Sequence, residues 1–234
     1  MFLYETHLHT SPVSRCAKVS VKENLDFYKA LGYAGVFVTN HYPENGFDRA
    51  REYTYEERIA YLFSDYEAAE KYGKEIGLQV LFGVEISYKG TDFLIYGLDK
   101  AWYLSHPEFE TMKKSQQLPY LIEQGALVIH AHPFREAHYI DHIRLFPRCV
   151  HGVEIDNACR TDFENEMAAH YAKSYGLLPF AGSDNHVGIK RERLAGMQSE
   201  TPIIDEVDFV KRVLSGEMSL FSMKNPLLPD SQNR

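Results

Sequence analysis

An α/β barrel is the fold class this sequence predicts, and three observations carry it. Short apolar runs alternate with amphipathic stretches along the chain, about seven times, the rhythm of repeated βαβ units. The apolar runs are mostly continuous rather than alternating, as in parallel strands buried on both faces. The amphipathic stretches open on helix-capping residues and close on glycine. At 234 residues the chain is ordinary for one such barrel. No repeat, low-complexity segment or linker divides it, so residues 1–224 are expected to form a single domain.

In order, Phe2-Leu3-Tyr4 reads as the first strand, running into Glu5-Thr6-His7-Leu8-His9-Thr10. Ser20-Val21-Lys22-Glu23 is a capping box, Leu25, Tyr28 and Leu31 continue an apolar stripe, and Gly32 is its stop. Residues 35–40 form the second strand. Residues 48–58 are polar and loop-like, and within them Thr54-x-x-Glu57 opens a long helix carrying Ile59, Leu62, Phe63, Tyr66 and Ala69 on one side. It ends near Gly73 or Gly77. Residues 78–85 and 93–98 are the next two strands. Residues 103–124 read as helix, broken or started late by Pro107 and Pro119. Strands follow at 126–130, 150–155 and 177–181. Thr161-x-x-Glu164 opens the helix between the last two, which ends at Gly176, and Asp205-x-x-Asp208 opens the final helix, before Gly216. From Asn225 the chain is polar and is expected to be a loosely held tail, 225–234.

The formal net charge of −8 argues against a surface built to hold nucleic-acid phosphates, while leaving room for a local positive pocket supplied by metal ions. Three widely spaced cysteines, Cys16, Cys149 and Cys159, do not make a disulfide framework and fit a reducing compartment. No apolar stretch is long enough to span a membrane and no secretory leader is visible, so the expected location is the cytoplasm.

The chemistry collects at strand ends. His7 and His9 share one face of the first strand, because side chains alternate with a period of two. His41 ends the second strand, Glu85 the third, His130 and His132 the fifth, and Asp184 with His186 the seventh. In a barrel these positions converge at the C-terminal mouth. Imidazole and carboxylate together suit zinc, iron or manganese, and one bridging carboxylate allows two or three divalent ions. His106, His138, His142, His151 and His170 have no such placement and read as surface or hydrogen-bonded residues. Arg15 and Arg135 are candidates for gripping phosphate oxygens, since a guanidinium matches them bidentately. Glu154 and Asn157 follow the sixth strand and read more readily as structural caps than as mouth residues.

His7-Leu8-His9-Thr10, Thr39-Asn40-His41, Gly83-Val84-Glu85, His132-Pro133 and Gly182-Ser183-Asp184-Asn185-His186 together resemble, in order, the motifs of the polymerase and histidinol phosphatase (PHP) superfamily. The resemblance reaches nearly the whole chain, to about His186. It implies a distorted (βα)7 TIM-like barrel with a cluster of two or three metal ions at its mouth. It implies that His7 and His9 hold a first ion, shared with Glu85 and Asp184, and that Glu85 bridges. His132 would bind a second ion, and His41 with His186 a third. Two positions depart from the fullest pattern. Arg15 stands where three-metal members place a histidine, and a permanently cationic side chain cannot bind metal. The adjacent Cys16 is open to two readings, a thiolate ligand or a structural cysteine. Asp99 stands where members often carry a histidine at the end of the fourth strand, and could bind through oxygen.

The activity implied is hydrolysis of a small phosphorylated substrate, with water activated by the ions attacking phosphorus. Histidinol phosphate is a reasonable substrate, and DNA-end processing fits the acidic chain less well. The alternatives are a hydrolase of C–N bonds on a related metal barrel and a non-catalytic metal-binding domain.

Overall fold

The computed structural model describes residues 1–43 and 53–228. The start of the predicted polar loop, 48–52, and the end of the predicted tail, 229–234, lie outside the described residues. The elements run β1 (Phe2–Leu8), α1 (Val21–Ala30), β2 (Gly35–Val38), α2 (Tyr55–Ile76), β3 (Gln79–Tyr88), β4 (Thr91–Tyr96), α3 (Lys100–Ser105), α4 (Lys114–Glu123), β5 (Leu127–Ala131), β6 (Gly152–Asn157), α5 (Asp162–Tyr175), β7 (Leu178–Gly182), β8 (Arg193–Ser199), α6 (Glu206–Ser215) and β9 (Ser219–Lys224). Among the described residues no helix is long and apolar enough to cross a membrane.

The helix starts follow local chemistry. Ser20, Thr54 and Thr161 each accept from the backbone of the glutamate three residues on, whose side chain returns to the cap backbone, so all three predicted capping boxes form. Gly77, Gly176 and Gly216 end their helices in the left-handed conformation that glycine adopts without strain. The stretch predicted as one interrupted helix at 103–124 is two helices, α3 and α4, separated by a short 3-10 turn starting at Pro107.

The nine strands found among the described residues form one sheet, in the order β7-β6-β5-β4-β3-β2-β1-β8-β9. It is mixed, not the wholly parallel sheet expected. β1–β2, β2–β3, β5–β6 and β6–β7 are parallel, whereas β4 is antiparallel to both its neighbours and β8 and β9 run antiparallel at the other end. The reversal of β4 has a simple cause. β3 and β4 are joined by a hairpin through Lys89 and Gly90, both at positive φ (51° and 81°), the backbone of a tight turn that matches strand twist. A parallel return needs a crossover of roughly a dozen residues, which this connection lacks. The sheet curls until β7 comes alongside β1: Leu8 bridges Asn185 just beyond β7, and the Thr6 hydroxyl donates to the Ala181 carbonyl.

Inside the curl lies a core from nearly every strand, including Tyr4, Phe37, Leu94, Tyr96, Ile129 and Phe180. Helix α6 closes the end away from the site. Its Phe209 is fully buried, with ring centroids 4.3 Å from Phe37 and 5.3 Å from Tyr96. Below it, Tyr4 Oη accepts from the Ile203 backbone and Gln79 Nε2 donates to the carbonyls of Ile203 and Ile204. Asn225, expected at the start of a loose tail, is buried and its amide donates to the carbonyls of Ile189 and Arg191. Phe209→Ala is expected to cost about 3–5 kcal/mol in equilibrium denaturant unfolding, with the metal content of the folded protein unchanged.

Candidate metal centre

Glu5, His7 and His9 lie on one face of β1 and its extension, and all three are fully buried. Glu5 anchors the strand: its carboxylate accepts from the His7 backbone at 2.9 Å, the Ser183 backbone at 3.0 Å and the Tyr28 hydroxyl at 2.7 Å. Each imidazole is then oriented through its Nδ1. His7 Nδ1 lies 2.9 Å from Glu154 Oε1, and His9 Nδ1 lies 3.0 Å from Ser14 Oγ. A neutral ring whose Nδ1 donates presents a lone pair at Nε2, and here the two Nε2 atoms face one another at 3.2 Å. Two lone pairs at that distance repel unless a cation or a proton lies beside them. Gly182 makes this packing achievable, because a Cβ there would fall 2.5 Å from His7 Cβ and 2.7 Å from Glu154 Oε1.

Two carboxylates complete the centre. Glu85 Oε1 lies 3.5 Å from His7 Nε2 and 3.2 Å from His132 Nε2, while Oε2 lies 3.3 Å from His9 Nε2 and 2.9 Å from His41 Nδ1. One carboxylate thus faces four imidazoles, two with each oxygen, which is the geometry a bridging ligand requires. Asp184 Oδ1 is 3.6 Å from both His7 Nε2 and His9 Nε2 and 3.3 Å from His186 Nδ1. The donor atoms fall into three overlapping groups, His7-His9-Asp184, His7-Glu85-His132 and His9-Cys16-His41-His186, each with all its atoms within 4.8 Å of one another. His132 and Asp184 hold positive φ, 26° and 50°, a strained backbone for side chains other than glycine, found where a site demands it.

The field matches this arrangement. Burial opposes charge on His7, but Glu154, Asp184 and Glu85 raise its pKa well above the ordinary value. His9 goes the other way, lowered by burial and by the neighbouring His186 and His41. Glu85 is held well below the usual carboxylate range, its burial outweighed by His41 and His7, and Asp184 likewise by His7 and His132. Buried carboxylates among lone pairs that converge on common points are the surroundings that bind divalent cations. The residues fit the ions that the sequence motifs imply.

His7, His9, His41, Glu85, His132, Asp184 and His186 are therefore brought together, as the sequence suggests. Asp99 is not. It caps α3, accepting from the Trp102 backbone at 2.7 Å. Because β4 runs antiparallel, its C-terminal end points away from the mouth, and its first residues reach the site instead. Asp92 is the residue delivered there, buried, 3.0 Å from Arg135 Nη2 and 3.9 Å from His132 Nε2. Arg135 thus lies beside the centre. Arg15 is exposed, with its charge felt by the Tyr61 phenol, whereas Cys16 turns toward His41 and His186. Burial alone would raise the Cys16 thiol, but hydrogen bonds to His186 and His41 bring it down to about 6. His130 is fully buried outside the cluster, stacked on Phe93 at 5.0 Å with neither ring nitrogen hydrogen-bonded.

Glu5, Ser14 and Arg160 have no role in the sequence reading, and Glu154 has a different one. Glu5 and Ser14 orient His7 and His9, and a signal existed for Glu5, which shares the strand face of the two histidines. Glu154, read as a cap, is a central buried acceptor, taking bonds from His7, the His132 backbone and Asn157 Nδ2. Arg160, at the end of β6, is half-buried beside Cys159, with Asp184 and Glu164 acting on its charge.

No family model matches the sequence, and neither does any curated protein. Solved structures do match its fold. One is a two-domain protein from Bacteroides vulgatus containing a predicted PHP-like metal-dependent phosphoesterase, at TM-score 0.68 and 14% identity over 94% of this chain. This chain spans 64% of that protein. PsfC from Pseudomonas syringae matches at TM-score 0.59 and 18% identity, over 94% of this chain and 91% of its own. An amidohydrolase from Chromobacterium violaceum, with bound sulfate and no metal, matches at 0.54 and 15%, over 92% and 97%.

Two substitutions separate the roles assigned above. Glu154→Gln removes the charge that orients His7 and is expected to weaken metal binding by about 10–100-fold, read by calorimetric titration. Asp99→Ala is expected to cost about 0.5–2 kcal/mol of stability through the lost cap, with metal content unchanged.

Proposed function

We propose that this chain, which folds as the PHP-like metal-dependent phosphoesterases do, is a metal-dependent hydrolase of small phosphate esters. The observation that supports this most directly is the pair of imidazole Nε2 atoms 3.2 Å apart, each with its Nδ1 tied down, facing both Glu85 and Asp184. His7, His9 and Asp184 would hold one ion, and His132 a second, with Glu85 shared between them. Ions bound there would supply water activation at neutral pH and neutralise charge developing on phosphate oxygens.

The chain's own groups do the remaining work. Glu154 and Ser14 fix the tautomer and tilt of His7 and His9, so that neither ring must reorganise when substrate arrives. Arg135 stands at the edge of the centre with its guanidinium on Asp92, suited to hold an anion bidentately. Arg15, exposed on the loop after β1, would serve a substrate's outer phosphate oxygens. Positive groups at the mouth of an otherwise acidic chain favour a small anion over a nucleic acid. Three free thiols fit a cytoplasmic setting.

A C–N hydrolase is the second reading, favoured by the fold shared with an amidohydrolase. Purified protein loaded with Mn2+ or Zn2+ is expected to turn over an aryl phosphate monoester or a phosphodiester, and to lose that activity with chelator. His9→Ala is expected to lose more than the ~10–100-fold that removal of an orienting partner costs. Undiminished activity in chelated, metal-free protein would sink the proposal. Turnover of amide but not phosphate panels would select the second reading.

A further inference from the structure

The third donor group differs in chemistry from the other two. The inner groups offer only imidazole and carboxylate, whereas the outer one brings Cys16 Sγ together with His41 and His186. His9, its fourth member, already faces His7 and Asp184. The loop after β1 is built to deliver the thiol. Thr10 Oγ1 and the Val13 backbone donate to Asp65 of α2, at 2.8 and 3.2 Å, which pins the loop's near side. Its far side is pinned by the Lys18 backbone, which donates to the His186 carbonyl at 2.8 Å. Between these anchors, Ser14 Oγ accepts from the His41 backbone at 3.1 Å, so the loop that carries Cys16 also positions one of its partners.

His41 supplies a second, independent sign of a ligand. Its Nδ1 is shut off from solvent and has no hydrogen-bond partner. Its nearest charged neighbour is Glu85, whose Oε2 lies 2.9 Å away. Beyond the third ion that the sequence motifs imply at His41 and His186, we propose that Cys16 is a thiolate ligand of that position and makes it take thiophilic Zn2+ or Co2+ in preference to Mn2+. This rests on the metal-dependent reading above and deepens it. Cys16 is exposed and His41 and His186 are partly so, which leaves the position reachable from solvent. Binding converts the thiol to a thiolate ligand: the S–H bond breaks, the S–metal bond forms, and one proton leaves to solvent.

The test is Co2+ loading of the metal-free, full-length chain, read by metal content and by the near-ultraviolet thiolate-to-cobalt charge-transfer band. The wild type is expected to show the band. Cys16→Ala is expected to lose it together with one equivalent of cobalt, while Cys149→Ser and Cys159→Ser keep both. Cys16→His is expected to regain the equivalent without the band, which a merely structural cysteine would not do. A fully loaded wild type with no band overturns the proposal and leaves the phosphoesterase reading standing. So does Cys16→Ala with its full complement. A wild type that binds no cobalt overturns both.

Discussion

Five carboxylates buried in one region of a small barrel require positive charge close by. Glu5, Glu85, Asp92, Glu154 and Asp184 are each at most 4% exposed. Water cannot solvate them, so their placement is stable only where donors or cations surround them. Glu5 is answered by neutral donors: the Ser183 and His7 backbones and Tyr28. Burial raises its pKa, which favours its neutral form. Asp92 is answered by Arg135. Glu85, Glu154 and Asp184 are answered by histidines, and histidine gives up its proton readily to a metal ion. The division follows distance from the mouth's centre, with fixed donors outside and exchangeable charge within.

This charge balance decides what each histidine contributes. His7 is surrounded by carboxylates and His9 by other imidazoles, and their proton affinities are driven in opposite directions although they are two residues apart. Neighbours in sequence on one strand face are not equivalent once the barrel closes around them. The same reasoning distinguishes the inner donors from Cys16, whose partners His41 and His186 are the imidazoles of the cluster most open to solvent.

Much of this was legible in the sequence because it is local. Capping at Ser20, Thr54 and Thr161 depends on residues three apart, and strand alternation places His7 and His9 together. Chain direction is not local. The assumption that every strand runs the same way put Asp99 at the mouth, where the hairpin at Lys89-Gly90 puts Asp92. The short span between the two strands was itself the available sign, since it cannot hold a parallel crossover. The loop after β1 has no periodicity, so nothing in the sequence distinguishes Cys16, which meets His41 and His186, from its neighbour Arg15. β8 and β9 are not legible in the sequence because glycine and polar residues interrupt their short apolar pattern. Glu154 reads as a cap in the sequence because its partner, His7, is 147 residues away.

The site and the closure of the barrel depend on the same contacts. β1 meets the end of β7 through the Leu8–Asn185 bridge, with Asn185 donating to the His7 carbonyl at 3.1 Å and His9 donating to the Asn185 carbonyl at 3.2 Å. These few bonds lie between the histidines on one side and Asp184 and His186 on the other. The carboxylates they gather oppose closure by their mutual repulsion and their lost hydration, while Gly182 lets His7 and Glu154 approach without steric cost. An ion held between the two edges would remove the electrostatic opposition and draw them together. Because such a site does not exist in the unfolded chain, its binding free energy would count directly toward folding. The residues that recommend this chain as a hydrolase are thus also the ones through which a bound metal would hold its barrel shut.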